Sequence, residues 1–241
     1  MRAWLVAALM VGAISSSVQA DCVDPSSLVR STVSITRYFD DGEQSAGSLG
    51  VRGTAWFLSP TSMVTAEHVT AAMKLSEVDW RQVEILEGEK KQSVAVRLAR
   101  AVGSSAEKVS VLELRTAYAD AQKLRLRMEP LATEERVLSL AYPNNSLRFA
   151  AGRFVRYADS ERVAGAALLE MSDGNDRLVL DHGASGAPIL DCDGRVVAVV
   201  SNVFTQTMQF QSRPVRISTA WGQPNVVSVP IQVLKDYAPA E

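Results

Sequence analysis

Ser185 lies between glycines in Asp181-His182-Gly183-Ala184-Ser185-Gly186-Ala187-Pro188. A hydroxyl held in an open turn of small residues is reachable by a reactant and surrounded by backbone N–H groups, the setting for nucleophilic attack and for stabilising an oxyanion. The chain then continues through Pro188-Ile189-Leu190, an Asp193-Gly194 turn and the β-branched run from Arg195 to Ser201. Far upstream, Gly53-Thr54-Ala55-Trp56-Phe57-Leu58-Ser59-Pro60 leads into Val64-Thr65-Ala66-Glu67-His68-Val69. An imidazole, with an ordinary pKa of about 6.5, is suited to take a serine proton at neutral pH, so His68 is read as a general base. The only other histidine, His182, sits three residues before Ser185 in the same turn and is read as lining the substrate cleft.

Together these segments resemble the chymotrypsin-fold (trypsin-like) serine peptidases, especially the short bacterial members. The Gly-x-Ser-x-Gly elbow of α/β-hydrolases is rejected, because that elbow runs from strand into helix whereas Pro188 and the residues beyond it continue as strand. The resemblance implies an endopeptidase that hydrolyses peptide bonds through an acyl-enzyme on Ser185. It implies an oxyanion hole made by the backbone N–H groups of Gly183 and Ser185, and substrate-binding positions at Ser201 and Val203, with Asn225 on the opposite wall. Val179, six residues before Ser185, is not acidic, so a preference for Arg or Lys is disfavoured and a small apolar residue is expected before the scissile bond.

The third member of the triad is where the resemblance breaks. The family opens a strand of the form Asp-x-Ala-x-Leu at this point, and here the segment reads Glu107-Lys108-Val109-Ser110-Val111-Leu112, with Lys108 at the place of the acid. Strand alternation turns Glu107 away from the histidine unless the strand entrance is irregular. With such an entrance Glu107 is the candidate acid; without it Glu107 and Lys108 are exposed strand-end charges and the acid comes from elsewhere, where Asp79 and Asp120 lack motif support, or from nowhere, which leaves a Ser-His dyad. The acid's work is to fix the imidazole tautomer and stabilise the imidazolium.

Short β-branched runs between turn signals predict an all-β chain, and the resemblance implies two six-stranded antiparallel β-barrels with a short C-terminal helix. The expected division is a barrel over 21–120 carrying His68 and a second over 121–241 carrying Ser185. Strands are expected at Val29–Tyr38, Thr54–Leu58, Gln82–Leu86, Ser93–Ala101, Val109–Leu114, Val137–Ala141, Arg153–Tyr157, Arg177–Leu180, Ala187–Leu190, Arg195–Ser201 and Val226–Pro230. Helical turns are expected over Ala66–Leu75 and Ile231–Tyr237, and the polar stretch Ala117–Glu135 reads as the connection between barrels.

Residues 1–20 carry Arg2, an apolar run from Trp4 to Ile14 and Val18-Gln19-Ala20, the pattern of a cleavable signal peptide and too short to span a bilayer. Export to the periplasm or beyond is the expectation, with no stable membrane insertion after cleavage. In an oxidising compartment the two cysteines, Cys22 and Cys192, can pair, and a disulfide is favoured over two free thiols. A hydrophobic content of 47% fills a core, and a formal charge of −2 gives no reason to expect nucleic acid as partner. No metal-ligating cluster or cofactor motif is present, so the expected partner is a peptide or protein substrate. The rival reading is a catalytically silent member of the same fold that binds peptides or proteins, with Lys108 marking the lost acid.

Overall fold

The computed structural model describes residues 22–40, 42–44, 49–173, 180, 182–203, 205–210, 213–218 and 224–237. The expected signal peptide, most of the expected strand at 177–180 including Val179, and the side chain of Val203 lie outside the described residues.

Thr32–Tyr38 (β1), Gly50–Ser59 (β2), Ser62–Ala66 (β3), Arg81–Glu87 (β4), Lys90–Val102 (β5) and Val109–Leu114 (β6) close into an antiparallel barrel in the order β1-β2-β3-β6-β5-β4. A short helix, Glu67–Ala72 (α1), follows β3 directly. The second barrel is built from Arg136–Ala141 (β7), Arg148–Ala158 (β8), Ala166–Ser172 (β9), Pro188–Leu190 (β10), Val196–Val203 (β11) and, after a protruding hairpin, Val226–Pro230 (β14), in the order β10-β11-β14-β9-β8-β7. The hairpin, Thr205–Phe210 (β12) with Arg213–Ser218 (β13), pairs only with itself. It was not read in the sequence, nor were β3 and β9. The C-terminal helix over Ile231–Tyr237 is of the 3₁₀ type.

The continuous apolar runs arise because several strands are buried on both faces. In β2, Ala55 and Phe57 fill the interior of the first barrel, while Trp56 and Leu58 point outward into a core between the barrels. In β7, Val137 and Ala141 face the second barrel's interior, and Leu138 and Leu140 join the same inter-barrel core. Period-two alternation thus serves two apolar environments instead of one apolar and one aqueous. Three cores result, and the middle one fixes the barrels against each other.

Cys22 and Cys192 form a disulfide, and Val23 N donates to the Cys192 carbonyl at 2.8 Å, so the start of the described chain is fastened beside β10. No helix among the described residues is long and apolar enough to cross a membrane. The bond spans 170 positions of sequence, so it removes a large loop-closure entropy from the unfolded chain. Replacing both cysteines with serine is expected to lower the unfolding free energy by about 2–4 kcal/mol, read as a lower urea midpoint. An unchanged midpoint would show the bridge to be without thermodynamic weight.

Candidate active site

The β3–β6 register pairs Ala66 with Val109. Antiparallel pairing therefore brings the chain leaving β3 toward His68 beside the chain arriving through Glu107 and Lys108. Glu67 N donates to the Lys108 carbonyl at 2.9 Å, and Thr70 Oγ1 meets Ser110 Oγ at 2.8 Å, which lashes α1 to β6.

Glu107 lies before the first residue of β6 and so escapes strand alternation. Its side chain turns inward with no exposed surface, and its Oε1 stands 2.7 Å from His68 Nδ1 and accepts the His68 backbone N–H at 3.3 Å. Sequence alternation had set Glu107 facing away; the irregular strand entrance reverses this. The other carboxylates weighed for the role sit elsewhere, Asp120 with Arg30 and Lys90, and Asp79 near Arg81.

The serine turn is held from below by one residue of the other barrel. Thr54 N donates to the Ser185 carbonyl at 2.9 Å; Thr54 Oγ1 donates to the Gly183 carbonyl at 2.6 Å and accepts from Tyr142 N at 3.0 Å. Thr65 Oγ1 closes the set by donating to the Thr54 carbonyl at 2.7 Å. From its own barrel the turn is gripped by β11, with Gly186 N donating to the Val200 carbonyl at 2.8 Å. Burial pushes the Tyr142 phenol up, so it stays neutral and accepts Gly88 N–H at 2.9 Å, another link between barrels.

Gly183 has φ +97° and Gly186 φ +90°, values that glycine adopts without steric cost. The His182 carbonyl accepts from Asn144 N at 3.3 Å. Carbonyl and N–H point oppositely across a trans peptide, so the Gly183 amide is directed away from Asn144. Among the described residues, neither the Gly183 nor the Ser185 amide donates to a protein acceptor. Both remain available for an oxyanion. Asn144 and Asn145 themselves carry φ of 52° and 59°, and Asn145 Oδ1 accepts from Ser34 Oγ at 2.8 Å, so this turn too is tied to the first barrel.

His68, Ser185, Gly183 and the exposed His182 line one cleft of about 300 Å³, together with Arg52 and Asn144. Ser201 is buried where the β11–β14 ladder shifts register between Val200 and Asn202. Asn225 departs from its expected place as a pocket wall. Its amide donates to the Met171 carbonyl at 2.7 Å and accepts Met171 N–H at 2.9 Å, so both polar ends complete the edge of β9. The sequence assigns no role to Thr54, although it lies within the Gly-Thr-Ala stretch, nor to Asn144 and Asn145, whose Pro-Asn-Asn run is a turn signal only. No cluster of three or more potential metal ligands occurs among the described residues.

A buried carboxylate on a histidine, a serine in a glycine turn and two free amides are thus divided between two closed antiparallel barrels. The trypsin-like peptidase domain family matches residues 53–199, more than half of the chain, and the chain belongs to that family. A search of curated proteins finds no match. Among solved structures, the active form of the Rv3671c protease from M. tuberculosis is similar at a TM-score of 0.56 and 17% identity, over 88% of this chain and 81% of that one. Deg5 is similar at a TM-score of 0.57 and 14% identity, over 88% and 92%. The HtrA-type protease AlgW with a tripeptide gives 0.56 and 15%, over 86% of this chain and 58% of that one. At these identities the structural likeness establishes the fold.

The turn makes a strict steric demand. A Cβ at Gly186 would stand 2.1 Å from Thr65 Oγ1 and 2.2 Å from the Thr54 carbonyl oxygen, at a φ unfavourable for side chains. Gly186→Ala is expected to destabilise the protein by more than about 3 kcal/mol, or to displace the serine turn from the first barrel, visible as a lower thermal midpoint. A variant as stable as wild type would show that the turn is not clamped as described.

Proposed function

We propose that the protein is an exported serine endopeptidase in which Ser185 is the nucleophile, His68 the general base and Glu107 the acid of the triad. Ser185 Oγ attacks the scissile carbonyl carbon as its proton passes to His68 Nε2. The carbonyl oxygen becomes an oxyanion received by the Gly183 and Ser185 amides. Collapse breaks the C–N bond, the imidazolium returns its proton to the leaving amine, and water hydrolyses the acyl-enzyme by the same path. Glu107 accepts the Nδ1–H, which leaves Nε2 unprotonated for the serine and offsets the charge that develops on the ring.

The observation that carries this reading is the buried Glu107 carboxylate 2.7 Å from Nδ1 of His68, which itself lines the cleft that also holds Ser185. The position of Glu107 supports the enzyme reading over the silent binder despite Lys108. Support for export comes from the signal-like N-terminal sequence and from the Cys22–Cys192 bond, which persists in oxidising compartments.

A serine-directed fluorophosphonate should add one adduct to wild type and none to Ser185→Ala, measured by intact mass. A folded wild type that resists labelling would favour the silent peptide binder. On a peptide substrate, Glu107→Gln is expected to lower kcat by about 10³–10⁴-fold, whereas Lys108→Asp should leave it within a few-fold of wild type. The reverse order of effects would take the acid's role from Glu107.

A further inference from the structure

The two oxygens of Glu107 face different barrels. Oε1 turns to His68 of the first. Oε2 has no hydrogen-bond donor in line with it, yet the Arg162 guanidinium, from the turn between β8 and β9 of the second barrel, brings Nη2 to 2.8 Å. Main chain reinforces the approach: Glu107 N donates to the Arg162 carbonyl at 2.9 Å, and Ala164 N donates to Ser105 Oγ at 3.0 Å.

The turn that carries Arg162 is internally fixed. Ser160 N donates to the Val163 carbonyl at 2.9 Å, Val163 N to Ser160 Oγ at 3.1 Å, and Gly165 N to Asp159 Oδ1 at 2.8 Å. Val163 is buried in the inter-barrel core. Arg162 is therefore held at the seam by residues on both sides of it.

We propose that Arg162 is a positioning residue, which holds the Glu107 carboxylate turned to His68 from across the seam, so that the catalytic pair is completed only when the second barrel is docked. This rests on the His68–Glu107 pairing of the proposed mechanism. A carboxylate with no exposed surface needs its charge offset by partners, and the Arg162 guanidinium meets it on the side away from His68. Among the described residues, only His68 and Arg162 stand within ion-pair distance of Glu107. Other charged or titratable groups nearby are Arg52 and His182 along the cleft, Glu67 beside His68, Lys108 beside Glu107 and Glu161 beside Arg162.

The sign of the effect follows from charge alone. A cation 2.8 Å from Glu107 Oε2 repels a positive charge forming on the adjoining imidazole, so removing it makes the imidazolium, the inactive form of a general base, easier to form. Half of the Arg162 side chain is exposed, and solvent screening makes the effect modest.

Two measurements test this. In a His182→Gln background His68 is the sole histidine, and its ring resonances can be followed by NMR as pH is varied. Arg162→Gln, and Arg162→Met as a second uncharged variant that keeps the apolar stem, should each raise the His68 titration midpoint by about half a unit to one unit. Arg162→Lys should restore it. In the otherwise wild-type enzyme the acid limb of the pH profile should move the same way, with kcat about 3- to 10-fold lower and KM nearly unchanged. A merely structural role would lower activity without moving the midpoint. A folded Arg162→Gln or Arg162→Met protein with an unmoved midpoint overturns the proposal. The NMR readout needs no turnover, so absence of hydrolysis would count against the peptidase reading alone.

Discussion

Thr54 ties the two halves of the site together. Its amide, carbonyl and hydroxyl are all engaged, and through them the serine turn of one barrel rests on a strand of the other. Each of these groups is buried, and a buried backbone or hydroxyl group left unpaired costs about 1–3 kcal/mol. Displacing the serine turn relative to the first barrel would unpair several at once. The position of Ser185 is thereby coupled to the docking of the barrels, and so to the apolar core between them that contains Trp56, Leu140 and Val199.

The same seam carries the electrostatics. His68 and Glu107 come from the first barrel, Ser185 and the oxyanion amides from the second, and Arg162 reaches back from the second to the buried carboxylate. A carboxylate buried between an imidazole and a guanidinium is tolerable only while both partners are present. Glu107 lies one residue before Lys108, the position at which the resembled family carries its aspartate. The irregular segment between β5 and β6 accommodates the shift, because residues there are free of the alternation that governs a paired strand.

The Asn144–Asn145 turn adds a third crossing. It receives the His182 carbonyl on one side and Ser34 of β1 on the other, which orients the peptide bearing the Gly183 amide. Asparagine tolerates the left-handed backbone needed at both positions. The serine turn and the peptide bearing the Gly183 amide are thus held by contacts that span the barrels, while His68 is held within the first barrel and is linked to the second through Glu107 and Arg162.

The sequence alone determined the all-β character and the glycine-flanked serine turn, because β-branched runs between turns and the glycines around Ser185 are local signals; the two-barrel expectation came from the family resemblance carried by that turn and the Thr-Ala-x-His setting of His68. It left β9 unread, since Ala166 to Ser172 mixes small, apolar and acidic residues without clean alternation and owes its strand state to pairing with β8 and β14. Tertiary structure alone decided where the Glu107 carboxylate lies. Which way Glu107 points depends on where β6 begins and on Arg162 arriving from a segment 55 positions later, and no period within the strand contains that information. It also decided Asn225, whose amide completes the β9 edge instead of walling a pocket. Local chemistry fixes what a residue can do, whereas its partner is fixed by contacts between segments distant in sequence.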